Sequence, residues 1–154
     1  MTQKALLQSA GDGTAVPQGY VGETKVNSET GTVAPGATDT WASIESITLG
    51  RGTWLVTGIG YYFTATGTLP TGFNQFRVGL STGATTSPDE GFYGFIQNPT
   101  NVSFGGGSIT APPRVFTITS DSQQIHLVGY CQYTTVGTLV LNKNQSAIQA
   151  VRIA

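Results

Sequence analysis

Residues 53–64 read Thr-Trp-Leu-Val-Thr-Gly-Ile-Gly-Tyr-Tyr-Phe-Thr, and this stretch decides the fold class. Its β-branched and aromatic residues favour an extended strand, and no helical repeat of 3.6 residues runs through it. Alternate residues of a strand point to opposite faces. Both faces are apolar here, with Leu55, Ile59, Tyr61 and Phe63 on one and Trp54, Val56 and Tyr62 on the other.

A second stretch, 124–133, shows the same doubly apolar pattern. One face carries Ile125, Leu127, Cys131 and Tyr133, and the other carries His126, Val128 and Tyr130. A strand of a monomeric antiparallel sandwich normally has one apolar and one polar face. The simplest partner that could bury the extra apolar face is another copy of the chain. The pattern therefore predicts a homo-oligomer, but it does not determine the number of subunits.

Short runs of the same composition occur along the rest of the chain, separated by clusters of Gly, Pro, Asn, Asp and Ser. Eight or nine strands are predicted, near residues 21–26, 41–49, 53–64, 73–80, 91–96, 115–119, 124–133, 138–141 and 148–153. The strands do not alternate with helical segments, which disfavours a parallel α/β sheet. The sequence therefore predicts an all-β fold, an antiparallel β-sandwich or jelly roll.

The chain length of 154 residues fits one domain with one core. Residues 1–20 lack periodicity and are rich in turn residues, so we interpret them as an arm or linker that leads into a β-sandwich domain over 21–154. The apolar stretch near the N-terminus is too short for a signal peptide or a membrane span. Membrane insertion is not expected.

Charge is scarce, at 10% of residues against a typical value of about 25%. The net charge of −1 is spread singly along the chain, without the basic stripe that nucleic-acid binding requires. Aromatic residues make up 10% of the sequence, which argues against disorder. The composition predicts a folded protein with a polar, uncharged surface and no nucleic-acid partner.

Catalysis usually needs converging titratable groups, and the sequence has one histidine and eight carboxylates without motif spacing. We therefore expect no enzyme activity and no cofactor. His126 is interpreted as a packed or interface histidine, and Cys131 as a small buried hydrophobic residue. Asp89 and Glu90 are typical of a solvated turn, with a calcium site as the weaker alternative.

Irregular stretches over 67–73, 81–93 and 98–113 are candidate binding loops. The last of these contains three consecutive glycines and ends at two prolines, and we predict that it is a flexible loop. Aromatic and uncharged hydrogen-bonding side chains suit a sugar or protein surface. The candidate contacts are Phe73, Asp89, Glu90, Tyr93, Asn101, Phe104 and Ser108.

Four segments, in order, resemble the C-terminal knob domain of tailed-bacteriophage fibre and needle proteins. The segments are Gly-Thr-Ala-Val-Pro-Gln-Gly-Tyr-Val-Gly-Glu at 13–23, Ile-Thr-Leu-Gly-Arg-Gly-Thr-Trp at 47–54, Ile-His-Leu-Val-Gly-Tyr at 125–130 and Ala-Ile-Gln-Ala-Val-Arg-Ile at 147–153. The resemblance extends from about Gly11 to the end of the sequence.

This resemblance implies a jelly-roll knob similar to tumour necrosis factor, assembled as a homotrimer on the virion after synthesis in the host bacterial cytoplasm. It implies attachment to a bacterial surface glycan or protein receptor, with the N-terminal arm joining other virion proteins. Arg152 either pairs with a carboxylate across the subunit interface or ends a solvated strand. The candidate interface residues are Trp54, Tyr62, His126, Val128, Tyr130 and Arg152.

Family knobs usually follow a long stalk, whereas about twenty residues precede the predicted domain here. Either the sequence is an excised knob with an added Met1, or it is a short stand-alone virion protein. The second reading gives the alternative function, a capsid decoration or head-fibre protein with a structural role only. A carbohydrate-binding module and a glycosidase are the remaining alternatives.

Overall fold

The computed structural model describes residues 17–64, 71–88, 92–97 and 106–154. Within these ranges the fold is all-β, as the sequence predicts, with a single 3₁₀ turn at Lys143–Gln145. The strands are β1 Thr24–Asn27, β2 Thr32–Val33, β3 Thr40–Thr64, β4 Gln75–Ser81, β5 Tyr93–Gln97, β6 Gly106–Gln132, β7 Leu139–Asn142 and β8 Ala147–Arg152. No helix in the described ranges is long and apolar enough to cross a bilayer.

The two long strands β3 and β6 form the centre of the fold. They pair antiparallel along their whole lengths, from Thr40 opposite Cys131 to Phe63 opposite Gly106. The register shifts at three places along β3, the middle one between Gly50 and Gly52. Such bulges bend a strand and increase its twist. The pairs of short strands predicted over 41–64 and 115–133 are thus parts of two continuous strands.

The eight-stranded sheet has the order β1-β8-β3-β6-β4-β5, with β7 beside β2 and the end of β3. β8 pairs with residues 54–59 of β3, whereas β4 pairs with residues 126–132 of β6. The sheet thus has two parts. The β8 half contains β1, β8, residues 53–64 of β3 and 106–118 of β6, and the β4 half contains β4, β5, residues 40–50 of β3 and 122–132 of β6.

The two halves face each other across the core, which gives a β-sandwich-like arrangement. A Cβ atom at Gly60 in the β8 half would lie 2.8 Å from Val78 and 3.0 Å from Ile44, both in the β4 half. The rings of Tyr62 and Phe76 meet edge-to-face at 4.6 Å between the two halves. Glycine at position 60 therefore allows the close approach of the two layers.

The inner face of β3 enters this core, with Trp54, Val56 and Tyr62 all buried. The opposite face does not, because Leu55 and Ile59 remain 37% exposed in the single chain. The apolar residues of 53–64 thus divide between a buried face and a partly exposed one.

The prediction of a loop over 98–113 is wrong for residues 106–113, because β6 already begins at Gly106. Residues 98–105 lie outside the described ranges. Gly107 lies opposite Tyr62 and Ser108 opposite Tyr61, so cross-strand pairing overrides the turn-like composition. The two prolines 112 and 113 lie where the ladder passes from Ala111 to Arg114 through a register shift. A bulge tolerates prolines because residues there need not donate a ladder hydrogen bond.

Candidate ligand-binding and assembly surfaces

The outward face of the β8 half is apolar. Leu55 on β3 lies opposite Val115 on β6 and Val151 on β8, so the three side chains form a row across three strands. Val115 is 54% exposed. Ile59 continues the surface two rows further, between Thr110 and Ala147. We call this surface the apolar face. It consists of the apolar residues Val26, Leu55, Ile59, Val115, Ala147 and Val151 and of the polar residues between them, Thr57, Ser108, Thr110 and Gln149.

The apolar face carries no charged side chain among the described residues of its strands. Lys25 lies over the Trp54 ring at 5.8 Å, and Arg152 lies over the same ring at 4.6 Å. Arg114 lies over the ring of the buried Phe116 at 4.9 Å. All three cations of these strands therefore pack beside core aromatic rings. The outward positions hold only uncharged polar and apolar groups.

A shallow depression of about 250 Å³ lies in this face. Thr57, Gly58 and Ile59 of β3 line it together with Thr110 of β6 and residues of β8. A Cβ atom at Gly58 would point into the core and lie 2.6 Å from Leu127, so this residue borders the depression with its backbone only.

The outward face of the β4 half is different, because it is rich in aromatic rings. Trp41 on β3 lies opposite Tyr130 on β6, which lies opposite Arg77 on β4, which lies opposite Phe95 on β5. One row thus crosses four strands. Since neighbouring strands are separated by about 4.8 Å, the row is about 14 Å long. We call this surface the aromatic face. It consists of the row, Tyr93, and the polar residues Asp39 and Gln132 at the Trp41 end.

The rings of the aromatic face hold one another in place. The Trp41 ring centroid lies 5.3 Å from that of Tyr130 and 6.1 Å from that of Tyr93, both in tilted contacts. The guanidinium carbon of Arg77 lies 4.8 Å from the Tyr93 centroid and 5.0 Å from the Tyr130 centroid. Cation–π attraction at these distances favours a fixed guanidinium between the two rings. Its Nε donates to Gln75 at 3.0 Å.

A polar network surrounds Trp41 and Tyr130. Asp39 Oδ1 accepts from the Tyr130 hydroxyl at 2.6 Å and from Gln132 Nε2 at 2.9 Å. Gln132 Oε1 in turn accepts from Asn74 and Gln75 at 2.5 and 3.0 Å. Burial, followed by the hydrogen bond with Asp39, raises the pKa of Tyr130. The phenol therefore stays protonated at neutral pH and donates to the carboxylate.

Asp39 has a positive φ of 63°, the sole such value for a non-glycine residue within the described part of the chain. The left-handed region is unfavourable for residues with a Cβ, although aspartate adopts it more readily than most. Backbone strain of this kind is concentrated at functional sites. The strained residue lies at the end of the aromatic face.

Three predicted interface residues, Trp54, Tyr62 and Val128, are buried within the single chain. Trp54 Nε1 donates to the Gly50 carbonyl at 2.9 Å. Val128 lies opposite Gly79, over which Pro88 packs. The burial of these side chains thus arises from contacts inside one chain.

His126 is half-buried on β6, and its Nδ1 lies 3.0 Å from Ser43 Oγ. Burial lowers the pKa of His126. Tyr130, another predicted interface residue, belongs to the aromatic face. The prediction for Cys131 is confirmed, because its side chain is buried.

Arg152 requires a correction, because its carboxylate partner lies in the same chain and its own side chain is buried rather than solvated. Arg152 Nε donates to Glu23 Oε2 at 3.1 Å, and the guanidinium also donates to the Arg51 carbonyl. Glu23 accepts a further hydrogen bond from the Gly19 amide at 2.7 Å. Both side chains of the ion pair are almost fully buried.

The predicted loop contacts divide among several places. Phe73 is buried beside Tyr62, with ring centroids 6.0 Å apart. Tyr93 lies on β5 in the aromatic face, and Ser108 lies on β6 opposite Tyr61. The other four, Asp89, Glu90, Asn101 and Phe104, lie outside the described residues.

Sequence reasoning missed Trp41, Arg77, Phe95 and Asp39 as members of one surface. Each lies on or beside a predicted strand, but the row depends on which strands are neighbours and in which register. The available signal was the spacing of two residues between aromatic or long polar side chains on three of the four strands, at Gln75 and Arg77, Tyr93 and Phe95, and Tyr130 and Gln132.

Comparisons with protein-family models and with curated proteins give no match. Within the described ranges, no group of three or more His, Cys, Asp or Glu side chains is placed to hold a metal ion.

Proposed function

We propose that the chain forms the trimeric, jelly-roll knob of a bacteriophage fibre or tail needle, and that the knob attaches the virion to the host cell surface. The observation that carries the proposal is the uncharged, apolar face of the β8 half. The resemblance of four segments to phage knob domains supplies the number of copies and the virion context.

A second copy is the partner that suits the apolar face. Homo-oligomer interfaces are more apolar than the rest of a protein surface and are depleted in charge at their centre. Identical faces approach without like-charge repulsion when they hold no charge. The row of Val151, Leu55 and Val115 would lie near the centre of such a contact.

The aromatic face remains open in this arrangement. The two halves of the sheet face each other across the core, so their outer surfaces point away from each other. Burying the apolar face between subunits therefore leaves the aromatic face on the outside of the trimer. Three equal faces on one particle raise the apparent affinity for a repetitive cell surface without any new contact.

Light scattering tests the assembly. We expect a mass of about 48 kDa, three times the 16.1 kDa of one chain. Val115→Lys places a charge in the centre of the proposed interface, and should shift the mass toward one chain without unfolding it because the side chain points outward. Thr82→Lys, at an exposed loop position, is the matched control and should remain trimeric. A wild-type mass of about 16 kDa at all concentrations would contradict the proposal.

Attachment is tested separately with fluorescently labelled protein and a panel of Gram-negative and Gram-positive cells. The trimer should bind at least one strain, and the Val115→Lys variant should bind it more weakly through loss of multivalency. A trimer that binds no cells but binds virus particles lacking the protein would favour the structural alternative, a capsid decoration or head fibre.

A further inference from the structure

We propose that the aromatic face is a saccharide-binding site for a neutral oligosaccharide. This inference rests on the proposed function, since the host cell surface supplies the glycan. The site is formed by Trp41, Tyr93 and Phe95 as apolar platforms and by Asp39 and Arg77 as groups that bind hydroxyls.

The platforms are accessible and held in position before a ligand arrives. Phe95 is 62% exposed at the β5 end of the row, and Trp41 is partly exposed at the β3 end. Contacts with Tyr130 and Tyr93 fix the Trp41 ring. Rigid aromatic rings bury large area on binding with little loss of side-chain entropy. A sugar ring has apolar C–H faces that can pack on such rings.

Polar groups with unused hydrogen-bonding capacity lie between and beside the platforms. Asp39 uses Oδ1 for Tyr130 and Gln132, and no donor among the described residues binds Oδ2. Arg77 uses Nε for Gln75, and no carboxylate in the described part of the chain forms an ion pair with it. Oδ2 can accept from one sugar hydroxyl, and the Arg77 Nη groups can donate to another.

The charges favour a neutral ligand. The face combines one carboxylate and one guanidinium, both of which act on Tyr130 between them. An acidic sugar attracted by Arg77 would also be repelled by Asp39, and an ammonium group attracted by Asp39 would be repelled by Arg77, so the two opposite charges give no net attraction for either. Hydroxyl groups satisfy both side chains without introducing a charge. The row of about 14 Å fits several linked sugars better than one.

The fluorescence of Trp41 also provides a direct measurement of sugar binding. The other tryptophan, Trp54, is fully buried in the core, so a bound sugar that contacts Trp41 should change the fluorescence of that residue alone. The Trp41 contribution is identified by comparison with the Trp41→Phe variant. The same sugar should not alter the remaining Trp54 emission.

The experiment begins with wild-type trimer on an array of neutral and acidic oligosaccharides from bacterial surface polysaccharides. The best ligand is then titrated against wild type, Trp41→Ala, Phe95→Ala and Tyr20→Ala. Phe95 and Tyr20 are both exposed aromatic residues, and Tyr20 lies in the N-terminal turn that is hydrogen-bonded to the end of β8, in the other half of the sheet. Phe95→Ala should weaken binding about tenfold or more, as expected for an interface anchor, and Tyr20→Ala should leave it unchanged.

Phe95→Ala keeps the test valid even where Trp41→Ala disturbs the fold, because the Phe95 side chain contributes little to the core. Binding of a neutral glycan, with the change in Trp41 fluorescence and the loss in Phe95→Ala, supports the site. Absence of glycan binding, binding of acidic glycans only, or unchanged affinity in both site variants overturns it.

The cell-binding assay separates this inference from the proposed function. Cell attachment that survives in both site variants overturns the saccharide site and leaves the knob proposal standing. Wild-type protein that binds a neutral glycan through Phe95 but no bacterial cell contradicts the attachment function instead.

Discussion

Replacing Glu23 by alanine should lower the free energy of unfolding by about 3 to 5 kcal/mol, the range observed when one partner of a buried ion pair is removed. Glu23 is 5% exposed and Arg152 is 9% exposed, so the guanidinium left behind cannot be solvated by simple rotation into water. The loss arises mainly from this unpaired buried charge.

Two contacts limit the loss. Arg152 keeps its place over the Trp54 ring, with 4.6 Å to the centroid, and keeps its hydrogen bond to the Arg51 carbonyl. A desolvated cation–π contact contributes about 2 kcal/mol, so the lower end of the range is expected. Glu23→Gln should lose less than Glu23→Ala because the amide oxygen can still accept from Arg152 Nε.

Urea unfolding followed by tryptophan fluorescence measures the effect. All variants are compared at one chain concentration because association changes apparent stability. Asp121→Ala is the control, since Asp121 also pairs with an arginine, Arg51, at 3.8 Å but is fully exposed. Its unfolding midpoint should stay near that of wild type.

The double variant Glu23→Ala with Arg152→Met tests the cause. If the unpaired charge is responsible, removing it should recover part of the stability lost in Glu23→Ala. A loss in Glu23→Ala as small as that in Asp121→Ala would refute the reasoning. The single variant Arg152→Met completes the comparison, and a double variant less stable than wild type by the sum of the losses in Glu23→Ala and Arg152→Met would show that the two charges act independently.

Three further predictions concern the core and β6. Gly60→Ala should lower the free energy of unfolding by about 1 to 3 kcal/mol, because its Cβ would lie 2.8 Å from Val78; an unchanged urea midpoint would argue against close packing of the layers. Burial raises the pKa of the Cys131 thiol to about 12, so it should react with Ellman's reagent at pH 8 only after unfolding, and rapid labelling of folded protein would contradict its burial. Burial lowers the pKa of His126 from 6.5, so the unfolded state binds more protons just below that pH. Stability should therefore fall as the pH drops through this window, and His126→Gln should reduce that slope; an identical slope in the variant would exclude His126 as its source.

The all-β fold could be predicted because alternation and β-branched composition are local properties of each strand. The continuity of the long strands could not be predicted from the sequence, as β3 shows. Gly50 and Gly52 resemble a turn in the sequence, but the structure uses them for a bulge within one strand. Gly106 and Gly107 likewise pair with the end of β3, although their composition is typical of a loop.

The sites depend on contacts between residues that are far apart in the sequence. The apolar residues of 53–64 could be recognised, but only the folded chain shows that Trp54 points inward and Leu55 outward. The partner of Arg152 lies 129 residues away at Glu23, which no local pattern can indicate. The aromatic face requires three correct strand pairings at once.

The pairing of β1 with β8 has a consequence for how the protein is made. β1 ends at Asn27 and β8 begins at Ala147, 120 residues later (147 minus 27), yet β1 pairs with no other strand of the described sheet. At a synthesis rate of about 5 to 20 residues per second, roughly 6 to 24 s pass between the synthesis of β1 and the start of β8. During that time β1 presents an unpaired edge, and the β8 half cannot be completed. Folding is therefore expected to finish after translation of β8, with the apolar face among the last surfaces to form.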